Sequence, residues 1–381
     1  MKIKLNLCHA AFILLTASLL IGSGCSKKES SSSATSTADN STSPFTVSEI
    51  TQTNSGDGYF TGSFVVPSDG ISFLLSTHKD NNASVAFYSL SDPDGTDILS
   101  SSSTPNLNGV ASGSLGGSGY ANVLVPQSPS FSAKAGTWTF KAYNNDRVKL
   151  ALRSRSTPTS TTIVVQPYIT GTTWAAGDLT ATLSVMSGIY STNGITLTIN
   201  STITISDSQY AAISGTFTDS TTSALVSQGV TEGVNLFFIE DYSDSEHLGN
   251  AAGIPGSMGI ANSWNGVLIS LSAHATGTTL ASQLLGETAA HEMGHKIGLF
   301  HTTESGGKVF DIISDTAECP KSLDKNSNSQ IQMSAEECEG YGAENVMFWT
   351  AWSSSSRSAG KKQETLSSYQ QQVLKYSPIA K

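Results

Sequence analysis

The sequence predicts an all-β sandwich over residues 45–155, followed by an α/β (α+β) domain over residues 156–381. Short alternating or apolar segments separated by turn residues fill the first region, which is typical of an all-β domain. In the second region, segments with strand character alternate with segments of helical periodicity, which indicates an α/β arrangement. A chain of 381 residues is also longer than one ordinary domain.

Five segments of the first domain have the alternation expected of strands, and turn signals such as Pro67-Ser68-Asp69-Gly70 separate them. These predicted strands cover residues 59–66, 70–76, 85–90, 121–125 and 137–143. Nothing in their sequence indicates a binding site. A structural spacer is therefore the simplest expectation for this domain.

The second domain begins after a Pro/Ser/Thr linker at residues 156–161. Apolar residues recur at helical spacing over residues 176–190, and again over residues 278–297, so both segments are predicted to be helices. Strands are predicted at residues 163–168, 195–205, 234–239 and 267–271.

Residues 1–25 have the organisation of an export signal. A positive start is followed by an apolar run over residues 10–21, which is too short to span a bilayer comfortably. Gly22-Ser23-Gly24-Cys25 then resembles the lipobox of bacterial lipoproteins, although Gly22 stands where an aliphatic residue is usual. The resemblance implies that Cys25 carries lipid and anchors the exported protein to a bacterial cell membrane, or to the outer membrane and cell surface. Ordinary signal cleavage and secretion is the alternative.

Residues 26–44 are nearly all small and polar, so we expect a flexible tether. The net charge of −10 argues against a nucleic-acid partner, which would require clustered Lys and Arg. The sequence does not indicate an oligomeric state.

Two of the four cysteines lie in the N-terminal signal region and two lie near the C-terminal end of the chain. Once Cys8 in the signal and Cys25 are set aside, Cys319 and Cys338 remain as a pair. In an exported protein such a pair is expected to form a disulfide. Two buried free thiols are the alternative.

One motif carries most of the chemical information. Residues 291–301 read H-E-M-G-H-K-I-G-L-F-H, which has the form H-E-x-x-H-x-x-G-x-x-H. The spacing of four puts His291 and His295 on one helix face, where both imidazoles can reach a single metal ion. Gly298 can adopt a positive φ that ends the helix, so that the chain turns back and brings His301 to the metal as third ligand.

Three His ligands leave a fourth position for water, which is typical of a catalytic Zn²⁺ site rather than a structural one. Glu292 follows the first ligand and is placed to act as the general base that accepts a proton from that water. A helix that merely carries surface histidines is the simpler alternative.

These residues resemble the metzincin metallopeptidases. Met347, in Asn345-Val346-Met347, corresponds to the Met-turn that lies beneath the metal in that clan, and residues 311–319 are similar to the pappalysin branch. The resemblance implies a metzincin-like catalytic domain with a twisted mixed sheet and an active-site helix. It also implies a zinc metalloendopeptidase that hydrolyses peptide bonds of extracellular protein or peptide substrates. An edge strand, placed at residues 257–261, is expected to pair with the substrate.

The same residues allow other interpretations of the function. A surface adhesin or binding lipoprotein on a metzincin scaffold would be favoured by loss of Glu292, which is present. A structural zinc protein would require a fourth ligand close in sequence.

Residues 324–336 begin like a calcium loop, but Ser329 replaces its glycine, so Ca²⁺ binding and a plain polar loop are both possible there. Trp349 stands where some metzincins have a Tyr that helps to hold the metal site or the oxyanion. Oxyanion stabilisation is therefore expected from the zinc ion itself or from a Tyr such as Tyr341.

Overall fold

The computed structural model describes residues 45–99, 116–129, 131–154, 161–230, 232–244, 247–258, 262–325 and 332–381. Residues Pro44–Lys381 form one compact unit. The predicted signal, Cys25, the tether and nearly all of the predicted linker at 156–161 lie outside the described residues. Among the residues that are described, no helix is both long and apolar enough to cross a membrane.

The first part of the described chain is entirely β-structure. Its strands are β1 (Thr46–Ile50), β2 (Gln52–Gly56), β3 (Tyr59–Val66), β4 (Gly70–His78), β5 (Ser84–Ser91), β6 (Gly116–Ser118), β7 (Tyr120–Val125), β8 (Gly136–Tyr143) and β9 (Arg147–Ser154). They form two antiparallel sheets in the orders β1-β9-β4-β7 and β2-β3-β8-β5-β6. All five segments predicted as strands are strands, at β3, β4, β5, β7 and β8.

Apolar side chains from both sheets share one buried cluster. Phe73 and Val123 come from the four-stranded sheet, and Phe64 and Trp138 come from the five-stranded sheet. Trp138 is fully buried, and its indole N–H donates to the carbonyl oxygen of Lys134 at 2.8 Å. Burial of alternate residues on each strand therefore stabilises the pairing of the two sheets.

The second part of the chain is built on a six-stranded mixed sheet. Its elements, in chain order, are β10 (Thr162–Thr170), α1 (Thr180–Thr192), β11 (Thr196–Ile199), β12 (Ile203–Ile205), β13 (Ala212–Ile213), α2 (Ser220–Val226), β14 (Val234–Ile239), β15 (Asp241–Tyr242), β16 (Gly249–Ala251), β17 (Val267–Ser270), β18 (Ala275–Thr276), β19 (Thr279–Leu280), α3 (Ser282–Ile297), α4 (Ser354–Ser358) and α5 (Ser368–Tyr376). The sheet order is β11-β10-β14-β17-β16, and β12 also pairs with β10. All of these pairs are parallel except β16 with β17.

Helices α1 and α3 pack together against this sheet. The contact is close at Gly286, where an ideal Cβ would lie 2.7 Å from Val185 Cγ1. Tyr190 of α1 donates its hydroxyl to the carbonyl oxygen of Ala290 in α3 at 2.9 Å. The long helix that carries the metal motif is thereby held in place along its length.

The predictions for residues 195–205 and 278–297 are wrong in part. The strand predicted over residues 195–205 is broken into β11 and β12. Gln166 of β10 accounts for the break, because its amide donates to the carbonyl oxygen of Ser201 at 2.9 Å and accepts from Asn200 at 3.1 Å. These side-chain bonds lie at the interruption between the pairing of β10 with β11 and its pairing with β12.

The helix predicted over residues 278–297 begins instead at Ser282. The residues before it form a hairpin, β18 with β19, that turns at Gly277 with a φ of +62°. Leu280, which falls within the segment predicted to be helical, therefore lies in a strand.

Candidate metal centre

Three imidazoles converge at the end of α3. The Nε2 atom of His301 lies 3.2 Å from that of His291 and 3.0 Å from that of His295. One nitrogen from each ring lies within 4.8 Å of the others. His291 and His295 leave the same face of α3 one turn apart, and the turn after the helix delivers His301, as the motif predicts.

Gly298 makes that turn possible. Its φ is +123°, a region that L side chains rarely adopt, and its N–H donates to the carbonyl oxygens of Gly294 and His295 at 3.0 Å. Leu299 N also bonds back to Gly294 O, at 2.9 Å. The helix therefore ends at Ile297, and the chain folds back toward the metal-binding face.

The second nitrogen of each ring has an acceptor. His291 Nδ1 donates to the carbonyl oxygen of Val346 at 2.7 Å, and His295 Nδ1 donates to that of Leu299 at 2.7 Å. His301 Nδ1 lies 3.1 Å from a carboxylate oxygen of Glu304. Carbonyl and carboxylate oxygens only accept, so each proton sits on Nδ1 and each Nε2 presents a lone pair to the centre.

Burial also favours the neutral form of two of the imidazoles, which is the form that binds a metal ion. Burial, and then the neighbouring His301, lowers the pKa of His291 to about 3. Burial, with the two neighbouring imidazoles, also lowers the pKa of His295 well below its ordinary value. Three converging lone pairs repel one another unless a cation lies between them, so this donor set fits a divalent metal ion such as Zn²⁺.

Glu292 of α3 lies next to this cluster and packs against β16, an edge strand of the sheet. An ideal Cβ at Gly249 of β16 would be 2.6 Å from Glu292 Cγ, and the Ala251 backbone donates to the carboxylate. Burial raises the pKa of Glu292 to about 8. A cation bound by the histidines would lower the pKa of Glu292 from about 8 toward ~7. A carboxylate with a pKa near the working pH is an effective general base.

Strand β16 is the antiparallel edge of the sheet, which the sequence placed at residues 257–261. Ser257 and Met258 instead lie in a loop, and residues 259–261 lie outside the described residues. Ala252 N and Ser270 N bond across the β16–β17 pair to Gly266 O and Leu248 O. In an antiparallel pair, hydrogen-bonded positions alternate with positions that are not bonded. The backbone N–H and C=O of Gly249 therefore point away from β17. The strand is Gly249-Asn250-Ala251, so it has no large apolar side chain by which the sequence could reveal it.

Met347 lies beneath the histidines. An ideal Cβ at Gly294, between the two helical ligands, would meet the sulfur of Met347. Thr302 N donates to the carbonyl oxygen of Met347 at 3.0 Å, and Met347 N donates to Asn345 Oδ1 at 2.8 Å. The predicted Met-turn residue thus contacts both the helix and the chain that carries His301.

Cys319 and Cys338 form a disulfide, with their Cα atoms 5.5 Å apart. Both are fully buried in a small core that also includes Phe348 and Trp352. The bridge lies between His301 and Met347 in sequence. It therefore crosslinks the segment that connects the third histidine of the cluster to Met347.

The remaining predictions for this site concern Trp349, Tyr341 and a calcium loop. The indole N–H of Trp349 donates to the carbonyl oxygen of Met333 at 2.7 Å, so it is already used, and Tyr341 lies on an exposed turn. Residues 326–331 of the candidate calcium loop lie outside the described residues. Glu304, whose carboxylate contacts His301, was not predicted, although a carboxylate three residues after the third histidine is visible in the sequence.

A mixed α/β domain with three histidines on and after one helix, a buried glutamate and a methionine packed against that helix is consistent with a metallopeptidase of the metzincin type. A family described as Metallo-peptidase family M12B Reprolysin-like matches residues 177–302, the region from α1 to just past His301. This match supports a metzincin-type zinc metallopeptidase. No curated protein matches the chain.

Proposed function

We propose that this protein is an exported zinc metalloendopeptidase that hydrolyses peptide bonds of extracellular proteins. The observation that carries the proposal is the convergence of three Nε2 lone pairs beside a buried Glu292. His291, His295 and His301 would hold the ion. Bound zinc polarises the scissile carbonyl and lowers the pKa of a coordinated water to ~7.

The side chains of the protein account for the remaining steps. Glu292 accepts a proton from the attacking water and passes it to the amine that leaves. Gly249, at the edge of the sheet beside Glu292, offers backbone groups with which an extended peptide can pair as an additional strand. Pairing of this kind suits a chain that continues on both sides of the scissile bond, which favours an endopeptidase.

The finer assignment to the pappalysin branch is also a proposal. It rests on the segment from Asp311 to Cys319 after the third histidine. Asp311 organises this segment, because its carboxylate accepts from Thr316 Oγ1 at 2.6 Å and from Ile313 N at 3.2 Å. Burial raises the pKa of Asp311 to about 7.

Lipid attachment at Cys25 is proposed from the sequence of residues 1–25. Two or more acyl chains are enough for stable anchoring. The enzyme would then act at a bacterial membrane or cell surface, held away from it by residues 26–44.

The test is a digest of a peptide library and of unfolded proteins by the purified protein, covering residues 26–381 and made metal-free and then reloaded. We expect internal cleavage only in the reloaded sample, with one zinc per chain by metal analysis. A chain that binds zinc but cleaves no peptide or protein would favour the adhesin alternative. A chain that binds no zinc would overturn the proposal.

A further inference from the structure

Strand β7 is buried along its whole length, although it ends the order of the four-stranded sheet. Ala121, Val123 and Val125 lie in the core between the two antiparallel sheets. Tyr120, Asn122 and Leu124 alternate with them and face the other way, onto the part of the chain that carries the histidines. We define the docking face as these three residues together with Gln127, which follows the strand.

The docking face holds the loop at Pro255. The hydroxyl of Tyr120 and the amide of Asn122 both donate to the carbonyl oxygen of Pro255, at 3.0 and 2.9 Å. Gly256 N bonds to the carbonyl oxygen of Lys296 at 3.0 Å, and Lys296 Nζ donates to the carbonyl oxygen of Ser257. This loop therefore joins the docking face to the last turn of α3.

A second contact reaches the turn after α3. Gln127, which is only 1% exposed, donates from Nε2 to the carbonyl oxygen of Gly298 at 3.1 Å. An ideal Cβ at Gly298 would lie 2.6 Å from Leu124 Cδ2, so the two are closely packed. The next residue, Leu299, supplies the carbonyl that orients His295.

We propose that the docking face positions the metal ligands, and that Gln127 and Leu124 are positioning residues for zinc. They hold the turn at Gly298 and Leu299, on which both the orientation of His295 and the delivery of His301 depend. The two N-terminal sheets would then be part of the metal centre rather than a spacer. This inference rests on the proposed zinc site.

The experiment measures the zinc dissociation constant by chelator competition, in the chain covering residues 26–381. Gln127→Met keeps the side-chain length but removes the donor, and Leu124→Val shortens the packing on Gly298. Asn145→Ala is the matched control, since Asn145 is similarly buried, lies in the turn between β8 and β9, and bonds to Gln52, away from the docking face. Hydrogen exchange of the metal-free proteins at residues 298–301 is the second readout.

We expect Gln127→Met and Leu124→Val to weaken zinc binding about tenfold, as loss of outer partners of metal ligands does. Exchange at residues 298–301 should become faster in both variants but not in Asn145→Ala. Leu124→Val is a small change, so it decides the question alone if Gln127→Met does not fold.

Wild-type zinc affinity in the docking-face variants would overturn the inference and leave the proposed function standing. Equal weakening by Asn145→Ala would also overturn it, since general loosening would then be the cause. Failure of the wild-type chain to bind zinc would overturn the proposed function itself.

Discussion

His291 donates from Nδ1 to the carbonyl oxygen of Val346 across 2.7 Å, which joins the first histidine of the cluster to the residue before Met347. The bond fixes the tautomer of His291, so that Nε2 is left to bind the metal. It also makes the orientation of the ligand depend on a segment 55 residues further along the chain. The disulfide and the Met-turn therefore bear on the metal centre as well as on the local fold.

The first prediction concerns the general base. Glu292→Ala should keep one zinc per chain and lose cleavage by ~10²–10⁴-fold, because Glu292 moves a proton and is not one of the three converging ligands. Cleavage of a peptide substrate and zinc content are measured on the same sample. Glu318→Ala, which removes an exposed carboxylate, is the control. Undiminished cleavage by the Glu292 variant would refute the mechanism.

The second prediction concerns the third ligand. His301→Ala should lose zinc on dialysis, because two imidazoles on one helix make an incomplete site. His78→Ala serves as the matched control, since His78 lies in β4, outside the three-histidine cluster. If the His301 variant retains as much zinc as the control, His301 is not a ligand and the metzincin assignment fails.

The third prediction concerns the anchor. Cys25→Ala should move the protein from the detergent phase to the aqueous phase on partitioning, because the acyl chains are proposed as its attachment to the membrane. Mass spectrometry of the wild-type N-terminal peptide should show the added lipid. Continued partitioning of the variant with membranes would show that something other than lipid retains it.

The fourth prediction concerns the disulfide. Replacing both Cys319 and Cys338 by Ala should lower the free energy of unfolding by ~3 kcal/mol in the chain-entropy model. Zinc affinity should fall as well, because the bridge constrains the segment between His301 and Met347. Urea unfolding and chelator competition measure the two effects. Unchanged zinc affinity in the folded variant would limit the bridge to a local structural role.

The fifth prediction concerns pH. Burial lowers the pKa of His274 to about 4, and its ring bonds to Ser270 O at 2.6 Å and to Thr288 Oγ1 of α3 at 2.9 Å. The unfolded chain, with an ordinary pKa near 6.5, binds the proton first, so stability is present above about pH 6.5 and is lost as the pH falls toward 4. We expect this residue to account for about 3 kcal/mol of that loss.

The urea midpoint of the metal-free protein, followed from pH 7 to pH 4, tests the role of His274. His274→Gln should show a shallower fall than wild type, since Gln does not titrate. Parallel curves for the two proteins would mean that His274 does not contribute to acid unfolding.

The sequence by itself determined the local features of this protein. The spacing of His291 and His295 is a property of any helix, and Gly298 marks the end of α3 because only a glycine readily adopts its positive φ. Strands such as β3 and β14 were predictable because alternation or a continuous apolar run signals burial within a few residues.

Only the tertiary structure decided which distant groups meet. Carbonyl oxygens carry no sequence signal, so Val346 O and Leu299 O could not be assigned to His291 and His295 in advance. Strand β16 has too few side-chain atoms to show a pattern, and its place beside Glu292 follows from sheet order. The role of Gln127 depends on the packing of two sheets against the end of α3, and packing of this kind is set by three-dimensional contacts between segments that lie far apart in the chain.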